Sequence, residues 1–256
     1  MGQTELYGDL LEKIDMQRLP EHIAVIMDGN GRWATARHLP RSAGHKAGAE
    51  ALRRATELCR EMGIPVLSVY AFSTENWQRP AEEVSFLMRL FVEYLHNEVE
   101  LMNRQDIRLG FLGDPDGLPE PVRRTLEEAR AATADNKSMV LNLAVNYGSR
   151  HELLRAARKL AAKTAAGEIA PEDIDMEMIG NQLDTAGLPD PDLLIRPSGE
   201  LRISNFLLWQ AAYAEFYFTD KLWPDFGKRD MLEAIIDYQS RSRRFGKTGE
   251  QVKNRK

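Results

Sequence analysis

Five short runs of apolar, β-prone residues alternate along this chain with longer stretches in which apolar residues recur at helical spacing. The runs cover residues 22–27, 66–72, 107–112, 139–145 and 193–196. The predicted helices cover residues 44–62, 81–104, 119–133, 150–166, 171–183 and 230–244. Strands that alternate with helices are typical of a parallel sheet with helices packed on its faces. The sequence therefore predicts an α/β fold, a single domain with a mainly parallel central sheet flanked by helices.

The composition is that of one globular domain. The chain has 256 residues, 43% of them hydrophobic, and no linker rich in proline, glycine and serine divides it. We expect a lead-in over residues 1–18, a domain over residues 19–246 and a disordered polar tail over residues 247–256. The net charge of −5 argues against nucleic acid as a partner. A single cysteine, no signal-peptide pattern and no run of about 20 apolar residues indicate a cytoplasmic protein.

A candidate binding site follows the first predicted strand, in the stretch HIAVIMDGNGRWATARHLPRSAGH over residues 22–45. Asp28 comes where the strand ends, and open α/β sheets bind their ligands outside the carboxyl ends of strands. Gly29 and Gly31 permit a sharp turn and a close approach of a ligand to the backbone. The cations that follow are Arg32, Arg37, Arg41 and His45. One carboxylate, bare backbone N–H groups and a series of cations indicate a site for a metal-complexed polyphosphate.

This stretch also permits other interpretations. The G-x-G-x-x-A pattern that starts at Gly29 fits the dinucleotide fingerprint, but the acid expected about 20 residues on falls at Glu50, within a predicted helix. Asp28 would repel a pyrophosphate unless a cation lay between them, so it indicates a divalent metal, and oxygen ligands favour Mg²⁺. The alternatives are a loop-capping carboxylate for Asp28 and a hydrogen bond at a helix start for His45.

Two further polar segments follow strand ends. The loop STENWQRP over residues 73–80 follows the second strand and carries Asn76 and Trp77, and the alternative for Trp77 is packing on the next helix. The segment RPSGELRISN over residues 196–205 follows the fifth strand, and its arginines and serine predict a second anion site. Two anion sites indicate two phosphorylated substrates. Glu215 lies among aromatic residues and needs a partner if buried, either a shared metal or an arginine.

Six motifs occur in order over nearly the whole chain, from about residue 19 to residue 246. They are HIAVIMDGNGRWA, GHKAG, SVYAFSTENWQRP, LNLAVNYGSR, LLIRPSGELRISNFLLWQ and AEFYFTDKLWPDF. In this set the chain resembles the cis-prenyltransferase family, and most closely its bacterial undecaprenyl diphosphate synthases. Pro197 departs from the family, which usually has threonine there, beside the second anion site. The DDxxD motif of trans-prenyltransferases is absent, as in the cis family.

The resemblance implies a homodimeric α/β enzyme with a hydrophobic tunnel between the sheet and the helices. Such an enzyme condenses isopentenyl diphosphate sequentially onto an allylic diphosphate, commonly farnesyl diphosphate, and forms cis double bonds. The implied product is a long-chain polyprenyl diphosphate, such as undecaprenyl diphosphate for a cell-wall lipid carrier. The implied cofactor is Mg²⁺, and a transient contact with a membrane surface is expected for product release.

Matched residue by residue, the resemblance implies roles for the candidate residues. Asp28 and Glu215 are the implied Mg²⁺ ligands, and Asn76 is the implied proton acceptor. The allylic diphosphate is bound by Gly29, Asn30, Gly31, Arg32, Arg41 and His45, with Trp33 packed beside it. The isopentenyl diphosphate is bound by Arg196, Arg202, Ile203 and Ser204. The mobile loop that closes the site contains Ser73, Thr74, Glu75, Trp77 and Arg79.

The resemblance also concerns the tunnel and the dimer. The broad apolar face of the helix predicted over residues 81–104 would form one tunnel wall, Ala71 would leave room near the active loop, and Met139 would lie deep inside. Residues 244–246, with the sequence RFG, match a segment that reaches the partner subunit's site.

Two rival functions come from other classes. One is a metal-dependent phosphohydrolase with Asp28 as its nucleophile. The other is a non-catalytic partner subunit, a type that tends to lack the acid and the loop asparagine, whereas Asp28 and Asn76 are both present.

Overall fold

A computed structural model of the protein describes residues 7–241, and within this range a single six-stranded sheet forms its centre. The strands are β1 (His22–Ile26), β2 (Val66–Ser73), β3 (Ile107–Leu112), β4 (Met139–Tyr147), β5 (Leu193–Arg196) and β6 (Glu215–Phe218). Their order across the sheet is β3-β4-β2-β1-β5-β6, and every neighbouring pair is parallel. The predicted parallel α/β fold is confirmed.

α-Helices lie between successive strands from β1 to β5, and the connection from β5 to β6 contains a 3₁₀ turn over Gln210–Tyr213. The α-helices of the described range are α1 (Gly8–Leu11), α2 (Asn30–Ala36), α3 (Arg41–Met62), α4 (Ala81–Arg104), α5 (Glu120–Ala132), α6 (Ser149–Ala165), α7 (Met176–Gly180) and α8 (Lys228–Ser240). A short 3₁₀ helix over Thr74–Gln78 follows β2. None of the helices between residues 7 and 241 has an apolar segment long enough to cross a lipid bilayer.

The structure differs from the predicted elements at three places. β6 was not predicted, because three of its four residues are aromatic and lack the alternation that marks a strand. The single helix expected over residues 171–183 is instead a 3₁₀ turn and the short α7, separated where the Asp175 side chain caps the backbone N–H of Met178. Helix α2 occupies part of the expected phosphate loop. The RFG segment at residues 244–246 and the tail at residues 247–256 lie outside the described residues.

The sheet is apolar on both faces, which explains the continuous apolar runs of its strands. One face of β1, carrying Ile23 and Val25, belongs to a large core that also contains buried residues of α3, α4, α5 and α8. The other face, carrying Ala24 and Ile26, packs in a smaller cluster around Phe206. Successive residues of a strand point to opposite faces, so each strand is fixed in register by two separate cores.

The strand order places one crevice at the centre of the sheet. From β1 the chain continues to β2 on one side, whereas β5 pairs with the other side of β1. Ligands of open α/β sheets bind where the strand order reverses in this way, outside the carboxyl ends of the strands. Asp28 follows β1 and Arg196 ends β5, so these two residues mark that crevice.

Candidate active site

Asp28 and Arg196 form the centre of the site. The Arg196 guanidinium donates a hydrogen bond from Nη2 to Asp28 Oδ2 at 2.8 Å, and the backbone N–H of Gly29 donates to Oδ1 at 2.6 Å. The guanidinium of Arg32 lies 3.6 Å from Oδ1. Burial raises the pKa of the Asp28 carboxyl, but hydrogen bonds from Arg196, Ser198 and Gly29 and the charge of Arg196 together hold the pKa below its usual value. Asp28 is therefore ionised at neutral pH.

The backbone after Asp28 turns at a position that favours glycine. Gly29 has φ +99°, and a Cβ there would lie 2.9 Å from the side chain of Leu222. Gly48 on α3 fits against the first residue of α2, because a Cβ on Gly48 would lie 2.4 Å from Asn30 Oδ1. The predicted sharp turn is thus present at Gly29, and close packing of two helices holds the N-terminus of α2 beside Asp28.

A first cluster of cations surrounds the carboxylate of Glu83, at the start of α4. Arg41 Nε lies 3.1 Å from Oε2, Arg79 Nη1 lies 3.1 Å from Oε1, and His45 Nε2 lies 3.4 Å from Oε1. Burial raises the pKa of Glu83, but the hydrogen bond and charge of Arg41, together with the charge of Arg79, lower it by more. The pKa of Glu83 therefore lies below its usual value. Burial lowers the pKa of His45 more than Glu83 raises it, so His45 is a neutral hydrogen-bonding group at neutral pH.

A second cluster lies after β5. Arg196 Nη1 donates to Ser204 Oγ at 2.9 Å and to the backbone carbonyl of Arg202. Arg202 is largely exposed and pairs with Glu200, whose carboxylate also lies 3.5 Å from Arg32. Glu200 thus pairs with two arginines, Arg32 and Arg202, as Glu83 pairs with Arg41 and Arg79 in the first cluster.

The loop after β2 closes one side of the site. Asn76 Oδ1 accepts a hydrogen bond from the Ser73 backbone N–H at 3.1 Å, which folds the loop into its 3₁₀ turn. Trp77 donates from Nε1 to Asn146 Oδ1 at 2.7 Å, and its ring meets Phe72 edge-on with centroids 5.0 Å apart. Trp77 therefore anchors the loop to β2 and β4, whereas Asn76 lines the cleft.

These segments enclose one polar cleft of about 660 Å³. The predicted residues that line the cleft are Asp28, Gly29, Asn30, Gly31, Arg32, Arg41, His45, Ser73, Glu75, Asn76, Arg79, Arg196, Arg202 and Ser204. The predicted residues outside its lining are Trp33, Thr74, Trp77, Ile203 and Glu215. Trp33 instead donates from Nε1 to Asp225 at 2.7 Å, with the Arg37 guanidinium 4.2 Å above its ring.

Glu215 lies away from Asp28 in this chain. It begins β6 opposite Leu193 at the amino end of β5, whereas the residue opposite Arg196 is Phe218. Its carboxylate accepts a hydrogen bond from Arg241 Nη1 at 2.9 Å. The sequence predicts a metal ion or an arginine as the partner of Glu215, and within one chain the partner is an arginine. Glu215 makes no contact with Asp28 there. Among residues 7–241 no group of three or more His, Cys, Asp or Glu side chains is arranged to hold a metal ion.

An apolar cavity of about 90 Å³ adjoins the cleft. Its lining residues shared with the cleft are Met27, Asn30, His45, Ala71, Phe72 and Leu87. Residues of α4, including Phe91 and Tyr94, form one wall, and Leu143 and Val145 of β4 lie among the others. Ala71 thus lines the passage between cleft and cavity. Met139 lines neither the cleft nor the cavity. It is fully buried in the core, where it lies opposite Ile107 in the β3–β4 pair.

Some residues that form polar contacts in the cleft region were not predicted as site residues. They include Glu83, Glu200 and Asn205. Glu83 lies four residues after Arg79, which is the spacing of a helical ion pair, so sequence carried a signal for it. Glu200 and Asn205 lie within the segment predicted as the second anion site but gave no separate signal.

Comparison with known proteins identifies the family. The family model described as "Putative undecaprenyl diphosphate synthase" matches residues 26–246. The chain belongs to this prenyltransferase family. The isoprenyl transferase of Heliobacterium mobile is 54% identical over 248 residues, which cover 96% of this chain and 95% of the relative. The isoprenyl transferase of Prochlorococcus marinus strain SARG is 54% identical over 244 residues, 95% of this chain and 92% of the relative.

Two solved structures of the family have similar folds. The first is lavandulyl diphosphate synthase from Lavandula x intermedia in complex with dimethylallyl diphosphate, with a TM-score of 0.88 and 41% identity over 90% of this chain and 99% of that one. The second is a probable undecaprenyl diphosphate synthase from Campylobacter jejuni, with a TM-score of 0.74 and 34% identity over 89% of this chain and 99% of that one. The resemblance to cis-prenyltransferases is confirmed, and the chain is a member of the isoprenyl transferase enzymes.

A divalent cation fits this isoprenyl transferase site at Asp28. The carboxylate is ionised, its side chain is 30% exposed, and it borders the cleft. Mg²⁺ is commonly held by one or two carboxylates, with phosphate oxygens and water completing its octahedron. A single protein carboxylate beside cations suited to phosphate meets that requirement once a phosphorylated ligand is present.

Proposed function

We propose that this enzyme condenses isopentenyl diphosphate sequentially onto an allylic diphosphate, with farnesyl diphosphate as the starter and cis double bonds in the product. The proposed product is a long-chain polyprenyl diphosphate of the undecaprenyl type, used as a lipid-carrier precursor. The observation that carries the proposal is one cleft that joins two cation clusters to an apolar cavity. Two diphosphates require two sets of cations, and a growing hydrocarbon tail requires an apolar shelter.

In this proposal the first cluster binds the allylic diphosphate. Arg41 and Arg79 donate charge-assisted hydrogen bonds to its oxygens, and His45 donates as a neutral imidazole. Cleavage of the allylic carbon–oxygen bond leaves negative charge on the departing diphosphate. Cations already fixed in the cleft stabilise that charge without having to reorganise. Ala71 and Phe72 beside these cations lead the prenyl tail toward the apolar cavity.

Asp28 is the residue that would hold Mg²⁺. When bound, the ion supplies Lewis-acid neutralisation of diphosphate charge. Arg196 contributes independently, because its hydrogen bond keeps Asp28 ionised and oriented toward the cleft. The same guanidinium reaches Ser204 in the second cluster, so a single buried arginine organises the acid and the second anion site together.

The second cluster is the proposed site of isopentenyl diphosphate. Arg202 and Ser204 line the cleft, and Asn76 lines it from the loop after β2. After the new carbon–carbon bond forms, the isopentenyl carbon must lose a proton. The proposed acceptor is the Asn76 amide oxygen, directly or through a diphosphate oxygen. In the free protein this oxygen accepts from the Ser73 N–H, so its orientation in the loop is already fixed.

The proposal also includes a homodimer and a transient contact with a membrane surface. β6 is the outer strand on its side of the sheet, and exposed apolar side chains lie nearby in sequence, namely Leu201, Leu208 and Tyr213. These features support an association of two copies along that side. A polyprenyl product is strongly apolar, which supports its release at a lipid surface.

One experiment tests the proposed function. The protein is incubated with labelled isopentenyl diphosphate, farnesyl diphosphate and Mg²⁺, and the butanol-extractable products are separated by length. A ladder of products, each longer by five carbons, is expected. Release of inorganic phosphate without chain growth would instead identify the phosphohydrolase, and absence of both would favour the non-catalytic subunit. The presence of Asp28 and Asn76 in one cleft supports the catalytic alternative.

A further inference from the structure

Asn205 is the point at which three loops of the site meet. Its side chain donates from Nδ2 to Glu75 Oε1 at 3.0 Å, which reaches the loop after β2. Its Oδ1 accepts from the Arg150 backbone N–H at 2.9 Å, and its own carbonyl accepts from the Ser149 N–H at 2.8 Å. One residue of the β5 loop therefore contacts both the β2 loop and the start of α6.

The backbone around Asn205 has an unusual conformation, and the residues that meet there are closely packed. Asn205 has φ +63° and the preceding Ser204 has φ +47°, a region that side-chain-bearing residues rarely adopt and asparagine tolerates best. Gly148, just before α6, fits only because it lacks a side chain. A Cβ on Gly148 would lie 2.7 Å from Asn205 Nδ2 and 2.7 Å from Thr74 Oγ1. The three loops are thus in close contact at Gly148.

The contact also joins the residues proposed to act on the two substrates. Asn205 directly follows Ser204, whose hydroxyl accepts from Arg196. Glu75 directly precedes Asn76, the proposed proton acceptor. Burial raises the pKa of Glu75, but the hydrogen bond from Asn205 and its other hydrogen bonds lower it more. Glu75 is therefore an ionised acceptor, and the amide of Asn205 is its donor.

We propose that Asn205 is a positioning residue that couples the two substrate subsites through its hydrogen bond to Glu75. This inference rests on the proposed function. When isopentenyl diphosphate orders the Arg202–Ser204 segment, the amide holds Glu75 and with it the backbone that carries Asn76. Conversely, an allylic diphosphate bound beside the β2 loop stabilises the position of Glu75, and through it the segment that receives the second substrate.

The test uses a reversal of the donor and the acceptor. In Asn205→Asp one carboxylate oxygen still accepts from the Arg150 N–H, but the other replaces the amide and faces the Glu75 carboxylate. We expect about a tenfold or greater loss in kcat/KM for isopentenyl diphosphate, the scale of one lost charge-assisted hydrogen bond. Adding Glu75→Gln supplies an amide donor opposite the new acceptor. The double variant is therefore expected to recover most of the loss, whereas two independent defects would multiply.

A binding measurement adds a readout that does not depend on turnover. Calorimetry gives the affinity for isopentenyl diphosphate with and without farnesyl thiodiphosphate, an unreactive allylic analogue. We expect the analogue to increase this affinity in the parent and to change it much less in Asn205→Asp. Asn181→Asp, which changes an exposed asparagine on another part of the surface, is the matched control and should behave as the parent in both measurements.

The outcomes separate this inference from the proposed function. If the parent does not elongate farnesyl diphosphate, the proposed function is wrong. If the parent elongates and Asn205→Asp keeps the parent's kcat, KM and analogue effect, the coupling is overturned alone. A loss in Asn205→Asp that Glu75→Gln leaves uncorrected would also overturn it, because the effect would then not pass through this hydrogen bond.

Discussion

Three carboxylates of the cleft region, those of Asp28, Glu83 and Glu200, are each paired with arginines, and each has a different environment. Asp28 is bound by a buried arginine and borders the cleft with part of its surface exposed. Glu83 is held by Arg41, Arg79 and His45 and is mostly enclosed. The Arg196 side chain is 4% exposed, whereas those of Arg41 and Arg79 are 58% and 36% exposed. A ligand in the cleft can therefore reach the arginines around Glu83 more readily than the arginine bound to Asp28.

Replacement of Asp28 tests the first of these roles. Asp28→Ala is expected to reduce the rate of chain elongation at least about 10³-fold, the scale of loss of a key electrostatic group. The fold should survive, because Arg196 keeps its bonds to Ser204 and to the Arg202 carbonyl. The measurement is steady-state incorporation of labelled isopentenyl diphosphate, with circular dichroism as a check on folding.

Asp116→Ala is the control for this variant, since Asp116 has an 89% exposed side chain far along the chain from the site. Excess EDTA should abolish the parent's activity, and added Mg²⁺ should restore it. Near-normal turnover by a folded Asp28→Ala protein, or full activity of the parent in EDTA, would contradict the role assigned to Asp28.

Replacement of Arg202 tests whether the two anion sites are separate. Arg202→Ala is expected to weaken isopentenyl diphosphate binding roughly ten- to a hundredfold, because one charge-assisted hydrogen bond contributes about 1.5–3 kcal/mol. Binding of farnesyl diphosphate should change far less, because the cluster around Glu83 is intact. Direct binding of each substrate is measured by calorimetry, with the exposed Arg158→Ala as the control. Equal weakening for both substrates would argue against separate sites.

At the scale of elements, five of the six strands and the long helices could be predicted, whereas β6 and the contacts between loops could not. β3, β5 and α4 have the predicted bounds, because their apolar periodicity reflects burial on known faces. The contact of Glu75 with Asn205 joins residues 130 positions apart, and no local pattern encodes such a pair. The same limit applies to the Glu215–Arg241 pair. The sequence predicts that Glu215 has either a metal ion or an arginine as its partner, and it does not distinguish between the two.

The passage between cleft and cavity gives a prediction about product length. Ala71 lies on β2 and lines both spaces, so Ala71→Leu is expected to fill the passage and shorten the products. Each added five-carbon unit gains about 3–4 kcal/mol by burial, at about 0.8 kcal/mol per CH₂, and overpacking costs about 1–3 kcal/mol. The measurement is the product ladder on reversed-phase chromatography, with Ala71→Ser as the control of similar size. An unchanged ladder would mean that the tail does not pass Ala71.

Met139 provides the complementary variant at the far end of the sheet. The resemblance predicts that Met139→Ala lengthens the products or broadens their distribution. Met139 lies in the core and outside the cavity lining, so the variant should also lose about 2–5 kcal/mol of stability, as buried Met→Ala changes do. Product length and the denaturation midpoint are measured together. Lower stability with an unchanged ladder would show that Met139 has a packing role alone.

At the scale of the whole molecule, a buried polar network crosses the centre of the sheet. His22 Nδ1 lies 2.7 Å from the Pro189 carbonyl, which can only accept, so Nδ1 carries the hydrogen. Nε2 then accepts from Ser68 Oγ at 2.8 Å, and Asn142 donates to the same Oγ at 3.0 Å. The network joins β1, β2 and β4 at a fully buried position, and it requires a neutral imidazole.

This network predicts how stability changes with pH. Burial lowers the pKa of His22 from 6.5 to about 4. Below pH 6.5 His22 becomes protonated in the unfolded chain, whereas in the folded protein it stays neutral until the pH falls to about 4. The contribution of neutral His22 to the free energy of unfolding is therefore complete above pH 6.5. It falls by about 3 kcal/mol as the pH drops to 4. Urea denaturation over this range measures it.

His22→Gln should lose this part of the pH dependence, although its stability at neutral pH is lower than the parent's. His96→Gln, at an exposed histidine of α4, should retain the parent's slope. A parent slope that is the same in all three proteins would mean that other groups cause the acid sensitivity.

The acids within the cation clusters have a consequence for ligand selection. Glu83 pairs with Arg41 and Arg79, and Glu200 pairs with Arg32 and Arg202, so each carboxylate offsets part of the positive charge of two arginines in the free protein. An incoming anion must therefore displace these carboxylates from the arginines. A monoanion carries no more charge than the carboxylate it would displace, whereas a diphosphate carries more charge and more acceptor oxygens. The cleft is therefore expected to exchange its resident carboxylates for polyanions in preference to inorganic monoanions and acidic metabolites of low charge.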